Sequence, residues 1–66
     1  MLTEAQKQFL DDIAETFPEG FSIRALAYEL EKSDEAVRGM MQRIQLKYPK
    51  AFQQIPGGWK LKNSLK

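Results

Sequence analysis

Arg38, Gln42, Arg43 and Lys47 crowd one stretch of the chain, and Lys60 and Lys62 alternate with apolar residues further on. Guanidinium and ammonium groups at this density suit phosphate, and Gln or Arg among them can also address the edge of a base. The surrounding charge sharpens that chemistry. All nine acidic residues of the 66-residue chain lie within positions 1–35, where Lys7, Arg24 and Lys32 are the only bases, so that stretch carries −6. Positions 36–66 hold Arg38, Arg43, Lys47, Lys50, Lys60, Lys62 and Lys66 with no acid, so they carry +7. The formal net charge of +1 thus hides two opposed halves. A basic half joined to an acidic half points to a surface that faces a polyanion and an acidic back turned outward.

Other chemistries find little support. The chain has no Cys and no His, which removes disulfides, thiolate or imidazole metal sites, and the usual general base. Its well-placed Ser residues read as helix caps rather than nucleophiles, so no enzyme activity and no cofactor are expected. Asp11, Asp12 and Glu15 form the one carboxylate cluster; without further ligands it is a poor cation site and reads as a solvated acidic face. Gly57-Gly58 is followed by Trp59 and Lys60 in a hairpin context, unlike a phosphate loop. No apolar run approaches the roughly 20 residues of a membrane span, and the N-terminus lacks a signal-peptide pattern. The expectation is a cytoplasmic protein with no membrane partner, and the absence of Cys fits that compartment. Sixty-six residues make one domain at most, here taken as 1–66, with a thin core that depends on a few large side chains. Both a complete small protein and a piece of a larger one fit this length.

The elements that must position the cations are legible from local signals. Thr3-Glu4-Ala5-Gln6 has capping-box form, and Phe9, Leu10, Ile13, Ala14 and Phe17 recur at helical spacing. Pro18 and Glu19-Gly20 end this first helix, placed at about 4–17. Ser22 caps a second helix at about 23–31, with the stripe Ile23, Leu26, Ala27 and Leu30; Phe21 before the cap can staple onto Leu26. Ser33 caps a third at about 34–47, with Asp34 and Glu35 in the first turn, where the helix dipole favours negative charge. Its core stripe is Val37, Met40, Met41, Ile44 and Tyr48, and Pro49 stops it. The tail switches to alternation, which predicts a β-hairpin over about 52–62. A three-residue Pro56-Gly57-Gly58 loop would pair Ile55 with Trp59 and Gln53 with Leu61. That register gathers Ile55, Trp59 and Leu61 on one face and leaves Gln54, Lys60 and Lys62 on the other.

Helix, short helix, helix, basic hairpin resembles the winged helix-turn-helix superfamily over nearly the whole chain. The sharpest part is IRALAYELEKSDEAVRGMMQRI, Ile23 to Ile44. Ala27 and Val37 match the small residue of the motif's first helix and the apolar residue of its second. Glu31 stands where Gly is usual, which implies a somewhat different turn. GGWKL looks like a wing tip and returning strand. The fold class is therefore mainly α with a small β-hairpin, three helices followed by a β-wing.

The resemblance implies that the third helix enters the major groove of double-stranded DNA and that the hairpin touches phosphate or the minor groove. Opposite the core stripe, the third helix carries Glu35, Gly39, Gln42, Arg43 and Leu46, with Arg38 on one flank. Gln42 suits adenine, and Arg38 or Arg43 suits guanine or phosphate. Lys47, Lys60 and Lys62 suit phosphate, with Lys66 beyond them. Gly39 has no core-packing reason to be Gly, and a helix-interior Gly costs about 0.8–1 kcal/mol relative to Ala. Close approach of a partner to the helix backbone would explain it. Tyr28 lies off the centre of its stripe and offers a phosphate a hydroxyl. The expected role is a DNA-binding module, either a small transcriptional regulator or the DNA-contacting domain of a larger replication or mobile-element protein. The alternative is a protein-interaction winged helix within a larger assembly, favoured by Glu35 on the outward face and by the near-neutral total charge. A monomer reads one half-site, so operator specificity would require dimerisation or fusion to another domain.

Overall fold

A computed structural model describes residues 1–62; Lys66, named above among the cations, lies outside the described residues. Three helices, α1 (Glu4–Thr16), α2 (Ile23–Leu30) and α3 (Asp34–Lys47), precede two strands, β1 (Phe52–Ile55) and β2 (Gly58–Leu61), paired antiparallel. This is the layout of a winged helix-turn-helix: a helical body with a hairpin wing.

Each helix starts where its cap dictates. The Thr3 hydroxyl accepts from the Gln6 N–H at 3.1 Å, and the Gln6 carboxamide oxygen accepts from the Thr3 N–H at 3.0 Å, completing the capping box. Ser22 and Ser33 accept from the N–H groups of Ala25 and Ala36, both at 3.1 Å. Each such cap is worth about 1 kcal/mol, a useful share of a small fold's stability. The apolar stripes then meet in one cluster. Phe9, Leu10 and Ile13 come from α1, Leu26 and Ala27 from α2, and Val37, Met41 and Ile44 from α3, with Phe21, Ala51 and Phe52 closing it. Met40, Tyr48, Trp59 and Leu61 pack against its edge.

The turn between α2 and α3 differs from expectation. Glu31 adopts φ 56° and ψ 45°, the left-handed conformation a Gly would take there, so the backbone turn is of the usual kind and only the residue is unusual. The Lys32 N–H reaches the Ala27 carbonyl at 2.9 Å and the Glu31 N–H the Tyr28 carbonyl at 3.2 Å, which satisfies the end of α2 in the manner of a Schellman cap. A left-handed residue with a side chain costs roughly 1–2 kcal/mol. Part of that returns through the freer unfolded chain when Gly replaces it. Glu31→Gly is therefore expected to stabilise the protein by about 0.5–1 kcal/mol. A urea melt with an unchanged or lower midpoint would contradict the assignment.

The wing also departs from the predicted register. Its loop has two residues, Pro56 and Gly57, and the pairs are Phe52↔Leu61, Gln53↔Lys60, Gln54↔Trp59 and Ile55↔Gly58. Ile55 therefore lies on the face opposite Trp59 and Leu61 instead of sharing theirs, and Gln54 joins Trp59. The cause is the Pro-Gly pair. Pro suits the first corner of a type II turn and Gly57, at φ 87°, supplies the positive φ required at the second. Gly58 then belongs to the strand rather than to the loop.

Phe21 explains why a Gly belongs there. Besides placing its ring in the core, Phe21 pairs its backbone with Trp59 in an isolated antiparallel bridge, with N–H···O distances of 2.7 and 2.8 Å. A Cβ on Gly58 would overlap the Phe21 carbonyl oxygen. The connection between α1 and α2 thus acts as a one-residue third strand and ties the wing to the helical body.

Candidate nucleic-acid interface

The third helix divides into faces as its periodicity requires. At about 100° per residue, Val37, Met41 and Ile44 form one side, and all three are buried. Glu35, Arg38, Gln42, Arg43 and Leu46 lie across the opposite arc and are all exposed. Leu46 is 78% exposed, so it does not pack under the wing. The described side-chain hydrogen bonds involve none of these five residues.

Gly39 lies on this arc yet is half-buried. A Cβ built on it would sit 3.8 Å from Nη1 of Arg43, the residue one turn later. Arg43 therefore folds back along the helix with its guanidinium across the Gly39 backbone. This is ordinary contact distance, so steric exclusion of a side chain is not what places Gly there.

Lys47 is engaged within the protein. Its Nζ donates to the Met1 carbonyl at 2.8 Å and to the Gln6 carboxamide oxygen at 3.0 Å. The C-terminal end of α3 is thereby clamped to the start of α1, and one ammonium hydrogen remains for any other partner. Nothing local in the sequence signals this contact, because 46 and 41 residues separate the partners.

On the wing, Lys60 and Lys62 are exposed. Lys60 faces Gln53 across the hairpin, and the Lys62 N–H anchors the end of β2 to the Ala51 carbonyl at 2.9 Å. Lys60 shares its face with Ile55, whose Cδ1 packs over Gly20 at 2.6 Å from where a Cβ would stand. On α2, Tyr28 is 86% exposed, beyond the partial exposure expected from its place on the stripe. A shallow cleft between residues 19–22 and 55–58 is lined by one charged side chain, Glu19, an unsuitable wall for an anion.

Among the described residues, no group of three or more His, Cys, Asp or Glu side chains is placed to hold a metal ion, and no helix is long and apolar enough to cross a membrane. The geometry defines a class: three helices and a hairpin wing, with two arginines, one glutamine and one acid on the exposed arc of α3. Comparison adds no family to that class, since no protein-family model, curated protein or solved structure matches the chain significantly.

Proposed function

We propose that the chain is a winged helix-turn-helix module that binds double-stranded DNA, with α3 in the major groove and the β1–β2 hairpin as a basic wing. The observation that carries this reading is the outward arc of α3, where Arg38, Gln42 and Arg43 are exposed and their side chains take part in no described side-chain hydrogen bond. Phosphate contacts from Arg38, Arg43, Lys60 and Lys62 would give affinity and orientation, and Gln42 with one of the arginines would give base preference. The module serves either as a small transcriptional regulator or as the DNA-contacting domain of a larger replication or mobile-element protein. Neither role calls for catalysis or a cofactor.

The test is a fluorescence-anisotropy titration with duplex DNA at two salt concentrations. With about four to six phosphate contacts, log K is expected to fall with log salt at a slope of about −4 to −5. Arg43→Ala is expected to weaken binding several-fold or more, and Gly39→Leu to weaken it without lowering the melting temperature. A flat salt profile would remove the assignment of this surface.

A second reading has specific support in Leu46 and Tyr28, two large apolar side chains left exposed on α3 and α2. They suit a protein-interaction winged helix within a larger assembly. Failure of the titration at low salt would favour it.

A further inference from the structure

Two residues on the outward arc of α3 are poor phosphate ligands, an acid and an aliphatic. Glu35 is exposed in the first turn, and Leu46 is 78% exposed near the other end of the helix. Leu46 packs against nothing in the core, and Glu35 adds to the N-terminus of α3 only a first-turn charge that Asp34 also supplies. Asp34 and the Ser33 cap already supply negative charge and a hydrogen-bond acceptor at the N-terminus of α3. Glu35 takes part in no described side-chain hydrogen bond. It is also the last acid in the chain, the single one on a surface otherwise left to cations and neutral groups. Leu46 lies about 180° from Val37, so it turns away from the core that holds the other leucines of the helices.

We infer that Glu35 and Leu46 are base-reading residues, Glu35 accepting from the exocyclic amino group of a cytosine and Leu46 packing on the C5-methyl group of a thymine. This rests on the DNA-binding reading. The chemistry selects these bases. In the major groove a carboxylate finds a complementary donor in cytosine N4, and an aliphatic side chain finds its one apolar partner in the thymine methyl. Gln42 lies between them on the same arc and matches adenine. At 1.5 Å per residue, Glu35 and Leu46 stand about 16 Å apart along the helix. The order along the helix then sets the order in the site: the cytosine contact at one end, the adenine near Gln42, and the thymine methyl beyond it. An exposed acid and an exposed leucine, both unfavourable for general polyanion affinity, become the parts that discriminate between sequences.

The experiment is selection of binding sites from a random duplex library by the full chain, repeated with Glu35→Gln and Leu46→Ala. Both positions are exposed, and circular dichroism checks that each variant keeps its helices. The wild-type site is expected to hold a cytosine position that changes to adenine with Glu35→Gln, because the carboxamide offers adenine a donor and an acceptor. The change in preference at that position is expected to be at least about fivefold. Replacing thymines of the selected site one at a time by deoxyuridine removes only a methyl group. One replacement is expected to weaken wild-type binding by about fourfold, the transfer value of one buried methyl, and to leave Leu46→Ala unaffected. A selected site that keeps its cytosine in Glu35→Gln overturns the first assignment, and indifference to every deoxyuridine overturns the second. Recovery of no preferred duplex and no salt-dependent binding would instead remove the DNA reading itself.

Discussion

Gly58→Ala is expected to cost about 3 kcal/mol, the upper part of the range for forcing an extra carbon into a packed site. The added Cβ has nowhere to go. It would overlap the Phe21 carbonyl oxygen and crowd Cα of Ser22 at 3.2 Å, and both are backbone atoms that no rotamer change can move. Relief requires separating the strand from the α1–α2 connection, which gives up the two Phe21–Trp59 hydrogen bonds. A domain of this size sits near the lower end of the usual 5–15 kcal/mol, so such a loss removes about half or more of its stability. Gly57→Ala is the informative control. It has φ 87° and nothing within 4 Å of a built Cβ, so it pays for backbone conformation alone. Its expected cost is about 1–2 kcal/mol. Urea denaturation of both variants separates the two effects; equal midpoints would show that close approach at Gly58 is not what matters.

The same contrast explains how much of the fold was legible. Helix starts were readable because capping is local: Thr3, Ser22 and Ser33 lie three residues before the N–H groups they satisfy. The faces of α3 were readable because periodicity alone sets them, and the exposure of Arg38, Gln42 and Arg43 follows from the burial of Val37 and Ile44. The wing register was not. Pro56-Gly57-Gly58 admits more than one loop; the Pro-Gly turn selects the two-residue one, and the approach of Phe21, distant in sequence, then requires Gly at position 58. The Pro-Gly signature of a type II turn was the local signal that could have corrected it. Glu31 is unusual for a different reason: the local backbone bonds of Glu31 and Lys32 to the end of α2 hold an exposed residue of low left-handed preference in the conformation the turn requires. Lys47 read as one more cation because nothing nearby reveals its bonds to Met1 and Gln6. What pattern cannot convey is where two segments distant in the chain press together, and both the wing anchor and the α1–α3 clamp are contacts of that kind.

Phe52→Ala is expected to be more damaging still, at about 3–5 kcal/mol. The ring is buried and meets Phe9 at 6.5 Å and Phe21 at 6.1 Å, both edge-on, so one side chain joins the wing, α1 and the α1–α2 connection. Its removal leaves a void among three segments that have few other ways to close it. At room temperature much of the variant should be unfolded, and under the proposed DNA-binding role its binding should fall with the folded fraction. Lys60→Ala should lose affinity by another route. Its side chain is exposed and takes part in no described side-chain hydrogen bond, so the melting temperature should hardly move, while the salt slope of binding should shrink by about one unit. An excluded osmolyte such as sucrose favours the compact state without supplying a cation. It should therefore recover binding in Phe52→Ala as helicity returns and do nothing for Lys60→Ala. If binding stayed lost in a refolded Phe52→Ala, the ring would be acting on the wing's placement against DNA rather than on stability. If sucrose rescued Lys60→Ala, that lysine would belong to the scaffold and not to the surface that meets phosphate.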